Sequence, residues 1–233
     1  MSDWSLPNTA HRVAEQSFDA QGAGHLHLQV PGARVRLTPA EARLTIQSYL
    51  TAPSADQAQQ RMRTLPLSTQ QAGADIHVQW EADARATDAR TQWLRRWNES
   101  LGLFLDIALP SAFRATLHMA GGGCWAHDLS NTLALHVSGG RLSLASPHGP
   151  VNIEAHGATV ACTDVHGPLT LHGAGSDLSL HRLQADTTVH AAGGALTVSE
   201  ATAPLTLFTN GVALTLHDAT CAERRTNGQP VAA

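Results

Sequence analysis

From Ser130 onward, pairs of apolar residues two places apart alternate with Ser, Thr and Ala, and this alternation returns every eighteen residues without a gap. The five blocks read SNTLALHVSGGRLSLASP, HGPVNIEAHGATVACTDV, HGPLTLHGAGSDLSLHRL, QADTTVHAAGGALTVSEA and TAPLTLFTNGVALTLHDA; a weaker copy, AFRATLHMAGGGCWAHDL, precedes them in register. The fourth and sixth places hold Leu133/Leu135, Val151/Ile153, Leu169/Leu171, Thr187/Val189 and Leu205/Leu207. The thirteenth and fifteenth hold Leu142/Leu144, Val160/Cys162, Leu178/Leu180, Leu196/Val198 and Leu214/Leu216. A period of two puts one side of a strand inward and the other toward water, so each block predicts two short strands. Between them Gly139, Gly157, Gly175, Gly193 and Gly211 recur at the tenth place, where a tight turn asks for positive φ.

Two strands of a few residues cannot bury their apolar pairs alone, whereas stacked copies cover one another. The pattern therefore predicts a mainly β fold, a parallel β-solenoid with 18-residue coils about 4.8 Å apart. A left-handed hexapeptide helix of the acyltransferase kind would need an aliphatic residue every six places. The twelfth place holds Arg141, Thr159, Asp177, Ala195 and Ala213, which breaks that period and favours a narrow right-handed coil.

Upstream, alternation at His25 to Val30, Val35 to Leu37 and Leu44 to Leu50 predicts three strands, with Pro31-Gly32 turning between the first two. Ser54 caps a helix over Ala55 to Thr64, and a strand follows at Ile76 to Trp80. Trp93, Leu94, Trp97 and Leu101 recur at helical spacing and suit a helix covering a solenoid end. The predicted organisation is a loose lead at 1–17, a small α+β cap rich in strands at 18–110, a solenoid of about six coils at 111–221, and a mobile tail at 222–233.

The strand–Gly–strand units, reached through Asp106-Ile107-Ala108-Leu109-Pro110-Ser111-Ala112-Phe113, resemble the bacterial β-strand-repeat domains of unknown function often labelled adhesins. The opening Ser17-Phe18, the short strands and the small helix are similar too, so the resemblance covers roughly Phe18 to Ala219. It implies a right-handed β-helix-like solenoid and supplies no catalytic residues.

Composition narrows the chemistry. All fifteen basic residues are Arg, scattered along a chain of net charge −4, so the basic stripe of a nucleic-acid binder is absent. The first residues show no cationic start followed by an apolar core, and no apolar run reaches the roughly 20 residues of a membrane span; a cytoplasmic protein is the default expectation. Cys124, Cys162 and Cys221 have no metal-type or redox spacing and read as small buried hydrophobes. Ser176 lies outside any G-x-S-x-G elbow, and a P-loop is impossible without lysine.

Histidine is the exception, at fourteen copies. His136, Glu154, His172 and His190 share the outward seventh place, with Phe208 next in the column. Imidazoles and a carboxylate in a line could hold Zn²⁺ or a similar divalent metal, or titrate together near pH 6. The other reading is that they are solvated outward residues. A second, less regular set joins His127, His181 and His217 with Asp128, Arg182, Glu200 and Asp218. The sequence thus predicts a non-enzymatic scaffold or binding module for a protein or glycan partner, without a resident cofactor. A metal- or pH-responsive protein and a self-associating structural protein are the alternatives.

Overall fold

The computed structural model describes residues 4–19, 22–65, 67–80, 102–219, 223–226 and 229–230. Among them the chain is mostly β with a single short helix, and its strands build a parallel β-solenoid of about six turns. Two compact units divide between Trp125 and Ala126, inside the last strand described with the first of them.

The first unit holds β1 (Ala10–Asp19), β2 (Gly24–Gln29), β3 (Arg34–Ala40), β4 (Arg43–Thr51), α1 (Ala55–Thr64), β5 (Leu67–Ala72), β6 (Asp75–Trp80), β7 (Leu103–Pro110), β8 (Phe113–Ala120) and β9 (Gly123–His127). Here the solenoid is out of chain order. The parallel ladder of β2 runs against β6 on one side and β8 on the other, and β3 lies likewise between β7 and β9. Leu26 aligns with Ile76 and Ala115, and Leu28 with Val78 and Leu117; all six are buried. The stretch 24–40 is therefore itself a coil. Its Leu26, Leu28, Gly32, Val35 and Leu37 carry the spacing of Leu133, Leu135, Gly139, Leu142 and Leu144, and Gly32 has the turn φ of 73°.

Antiparallel strands close the far side of this unit, β4 on β7, β5 on β6 and β1 on β4. Ser54 caps α1 by accepting from the Gln57 N–H at 3.3 Å, and buried Ala58 marks its inner face. Residues 10–17, expected within a loose lead, join Phe18 and Asp19 in a strand paired with β4 from Ala10/Thr51 to Asp19/Arg43. Val13 is the one buried side chain of β1, so no alternation announces it, and the ladder hydrogen bonds hold it in place. The expected tryptophan helix at 93–101 and Cys221 lie outside the described residues.

The second unit continues with β10 (Leu133–Ser138), β11 (Arg141–Ala145), β12 (Val151–His156), β13 (Thr159–Val165), β14 (Leu169–Leu183), β15 (Thr187–Ala201), β16 (Leu205–Asn210), β17 (Ala213–Ala219), β18 (Glu223–Thr226) and β19 (Gln229–Pro230). Residues eighteen apart pair in parallel register from Leu133/Val151 through Val198/Leu216, placing the fourth, sixth, thirteenth and fifteenth columns on the inside. The inward side chains of the first four coils are buried, while Leu214 and Leu216 of the fifth are half-buried. Part of the expected tail is a strand: β18 extends the ladder of β16, with Thr206 opposite Glu223.

Each coil turns at two corners. At one, the tenth-place glycines Gly139, Gly157, Gly175, Gly193 and Gly211 have φ of 69°, 58°, 60°, 68° and 62°. The other corner uses non-glycine residues in the same left-handed region: Ser146, Asp164, Arg182, Glu200 and Asp218 at the seventeenth place have φ of 50°, 55°, 53°, 55° and 48°. Short polar side chains tolerate that conformation best, which accounts for the aspartates. Arg182 and Asp164 additionally bind each other through a two-pronged ion pair between adjacent coils.

Candidate functional site

The outward seventh column forms in register: His136 stands opposite Glu154, Glu154 opposite His172, His172 opposite His190 and His190 opposite Phe208. It resolves into two parts. His136 Nδ1 lies 2.8 Å from Glu154 Oε2, and this bond, backed by the attraction between the two groups, holds the Glu154 carboxyl below the usual carboxylate range. Beyond it the rings stack. His172 and His190 lie face to face with centroids 4.6 Å apart and planes 6° from parallel, and His190 continues onto Phe208 at 4.5 Å and 11°. The guanidinium of Arg225 sits 5.9 Å from the Phe208 centroid, within cation–π range, and its Nε donates to Glu223 at 2.6 Å.

This stacking is a direct product of the parallel ladder, which sets equivalent side chains about 4.8 Å apart, close to the separation of offset rings. It also keeps the ring nitrogens side by side. Among the described residues no three His, Cys, Asp or Glu side chains come together as a metal ion would require. The second histidine set is likewise dispersed: His127 reaches Asp128 at 3.3 Å, and His181 reaches Ser199 at 2.8 Å with Glu200 at 3.8 Å.

The ninth column, two residues further along the same strands, supplies what the sequence reading passed over. It runs His156, Ala174, Ala192, Asn210, each opposite the next. Two alanines between two larger polar residues leave a gap two coils long. The result is a groove of about 410 Å³, with the rings of His172, His190 and Phe208 as its wall. Ala174, Ala192 and the buried Gly173 and Ala191 form its floor, and His156 at one end and Asn210 and Arg225 at the other close it.

No family model matches the sequence, and no curated protein matches it. Two solved structures do. A "putative cell adhesion protein" from Clostridium sporogenes aligns over 88% of this chain and 98% of its own, at 10% identity and a TM-score of 0.44. A "putative adhesin" from Bacteroides fragilis aligns over 91% of this chain and 98% of its own, at 9% identity and a TM-score of 0.31. The likeness is one of fold. Identities this low assign no ligand. The default expectation of a cytoplasmic protein is not carried forward: both matches are described as adhesion proteins. That expectation rested on the first residues having no recognisable leader, which places no protein in any compartment. No described helix is long and apolar enough to cross a membrane.

Ser176 and the two described cysteines are engaged or buried. Ser176 is buried; its Oγ accepts from the Ala158 N–H at 3.2 Å and lies 3.1 and 3.2 Å from the carbonyls of Ala155 and Ala174, so it ties one coil corner to the next. Cys124 and Cys162 are buried, and desolvation pushes both thiols up to about 12.

Imidazole stacking recurs outside the groove. His27 and His77 stack at 4.6 Å and 2° on the outer face of β2 and β6, with His25 at 3.7 Å from His27, and His148 and His166 stack at 4.7 Å and 7° at a coil corner. Burial, then the neighbouring His27, lowers the pKa of His25; Asp75 opposes this, and Arg114 and His77 add to it. Burial, then His172, lowers that of His190. A histidine whose folded pKa lies below its unfolded value leaves stability intact above about pH 6.5, and stability is lost as the pH falls from there through the folded pKa. The melting temperature is therefore expected to fall between pH 7.5 and pH 5. His190→Phe, which prolongs the ring stack without a titrating group, is expected to show a smaller fall. Equal falls in the two proteins, followed by circular dichroism, would remove the His190 stack as a source of acid sensitivity.

Proposed function

We propose that this chain is a non-enzymatic binding module that holds a protein or glycan ligand in the groove beside the His172–His190–Phe208 wall. The observation that carries the reading is the gap in the ninth column. Along a ladder that otherwise presents larger polar side chains, two successive coils withdraw to alanine beside three stacked rings, and the space is bounded at both ends. A groove of this kind is rigid, because wall and floor belong to strands paired on both sides. Little conformational freedom is then lost on binding. The burial of the Cys124 and Cys162 thiols and the engagement of Ser176 support a binding role over a covalent one.

The test is retention on immobilised glycan and peptide arrays, comparing the wild-type chain with Ala192→Tyr. Ala192 is exposed, so the tyrosine occupies the groove without entering the core. Ligands of the groove are expected to lose at least tenfold in retention, with the circular dichroism spectrum unchanged. Identical retention of every array member by both proteins would sink the reading.

A further inference from the structure

Resting on that reading, we infer that the groove takes a short stretch of an acidic glycan, one whose sugars carry carboxylates. The side-chain polar groups that line it are the imidazoles of His156, His172 and His190, the Asn210 amide, the Thr209 hydroxyl and the Arg225 guanidinium; among the described residues no carboxylate lines it. The two acids nearest in the chain are engaged. Glu154 bonds to His136, one coil further from the groove, and Glu223 takes the Nε of Arg225. A guanidinium has five N–H donors, so Arg225, laid over Phe208 and steadied by Glu223, keeps its terminal nitrogens for a carboxylate. The imidazoles donate to hydroxyls when neutral and attract a carboxylate when charged.

The rest of the surface suits a sugar better than an acidic peptide. Bound peptides draw affinity from a free strand edge and specificity from pockets for alternate side chains. Here the strands under the groove are paired on both sides, and the floor is a row of methyl groups and backbone. Ring edges and methyls pack against the C–H faces of a pyranose, while the polar groups at the ends meet its substituents. From His156 to Asn210 is three coil steps, about 14 Å, the reach of a short oligosaccharide.

Titration calorimetry of the full chain with four probes tests this: trimers of galacturonic acid, of N-acetylneuraminic acid and of galactose, and hexaglutamate. One acidic trimer is expected to bind at least tenfold more tightly than the galactose trimer and than hexaglutamate. Ala192→Tyr is expected to abolish that binding, and Arg225→Gln to weaken it about tenfold. If the galactose trimer or hexaglutamate binds as tightly and Ala192→Tyr removes that binding, the acidic-glycan assignment is overturned while the groove stands as a ligand site. Acidic-trimer binding that survives Ala192→Tyr lies elsewhere and overturns both. Absence of heat from all four probes overturns the assignment, and the array comparison then decides the groove independently.

Discussion

Gly167→Ala is expected to cost more than about 3 kcal/mol, at the extreme of what single substitutions do. A Cβ at this position would stand 2.2 Å from the Gly149 carbonyl oxygen and 2.6 Å from that of His148. Both belong to the backbone of the preceding coil, so no side chain can rotate aside. Nor can the coils part, because the N–H groups of His166 and Gly167 both donate to the Pro147 carbonyl at 2.9 Å and the ladder continues directly from them. Relief requires opening the stack between two coils. Gly157→Ala is the control. Its φ of 58° is left-handed, but a Cβ there meets nothing within 4 Å, so the expected loss is the conformational strain alone, about 1–2 kcal/mol. Urea denaturation of the two variants beside the wild type separates these cases. A Gly167→Ala protein as stable as Gly157→Ala would mean that the coils do not approach as closely as described.

Leu180→Ala is expected to cost about 2–5 kcal/mol, the range for a fully buried leucine that leaves a cavity. Leu180 is 0% exposed and lies between Cys162 and Val198 in the fifteenth column, covered from both neighbouring coils. Leu216 occupies the same place in the fifth coil but is half-buried. In a stack where each repeat contacts its neighbours, a strand laddered on one side gains less than one laddered on both, and among the described residues the ladder of β17 is with β15. Leu216→Ala should therefore lose less than half as much. Equal losses at the two positions would contradict that account of the stack.

The five coils from Ser130 to Ala219 were legible because their apolar pairs and turn glycines repeat without a gap, and parallel pairing preserves that spacing in space. The coil at 24–40 carries the same spacing from Leu26 to Leu37. It escaped notice because its partners β6 and β7 are separated by residues 81–102, and no tandem period survives. The left-handed seventeenth place had a signal in its polar residues, three of them aspartate in Asp128, Asp164 and Asp218, just before a mainly apolar place. The close approach at Gly149 and Gly167 lies in a repeated His-Gly-Pro, whose letters alone do not tell how near the neighbouring coil comes.

The candidate site was half legible. The alignment of His136, Glu154, His172 and His190 follows from the period alone, but whether aligned imidazoles chelate or stack depends on rotamers that no periodicity encodes. The groove was hidden for a different reason. It is made by what Ala174 and Ala192 lack, and small residues carry no chemical signature until the larger neighbours around them are placed. Trp4, which meets Phe104 at 5.8 Å and Trp125 at 5.1 Å edge to face under the guanidinium of Arg36, had no pattern around it to read.

The out-of-order coil of the first unit also bears on how the protein is born. Both ladder neighbours of β2 are encoded after it, and the later of them, β8, ends at Ala120, some ninety residues downstream. At a synthesis rate of about 5–20 residues per second, the apolar pair Leu26 and Leu28 stays uncovered on one side for roughly 5–20 s. Each coil of the second unit waits about 1–4 s for the next eighteen residues. During translation the first unit is thus the stretch with the longest window for chaperone capture or for pairing with a neighbouring nascent chain, whereas the second can assemble coil by coil as it leaves the ribosome.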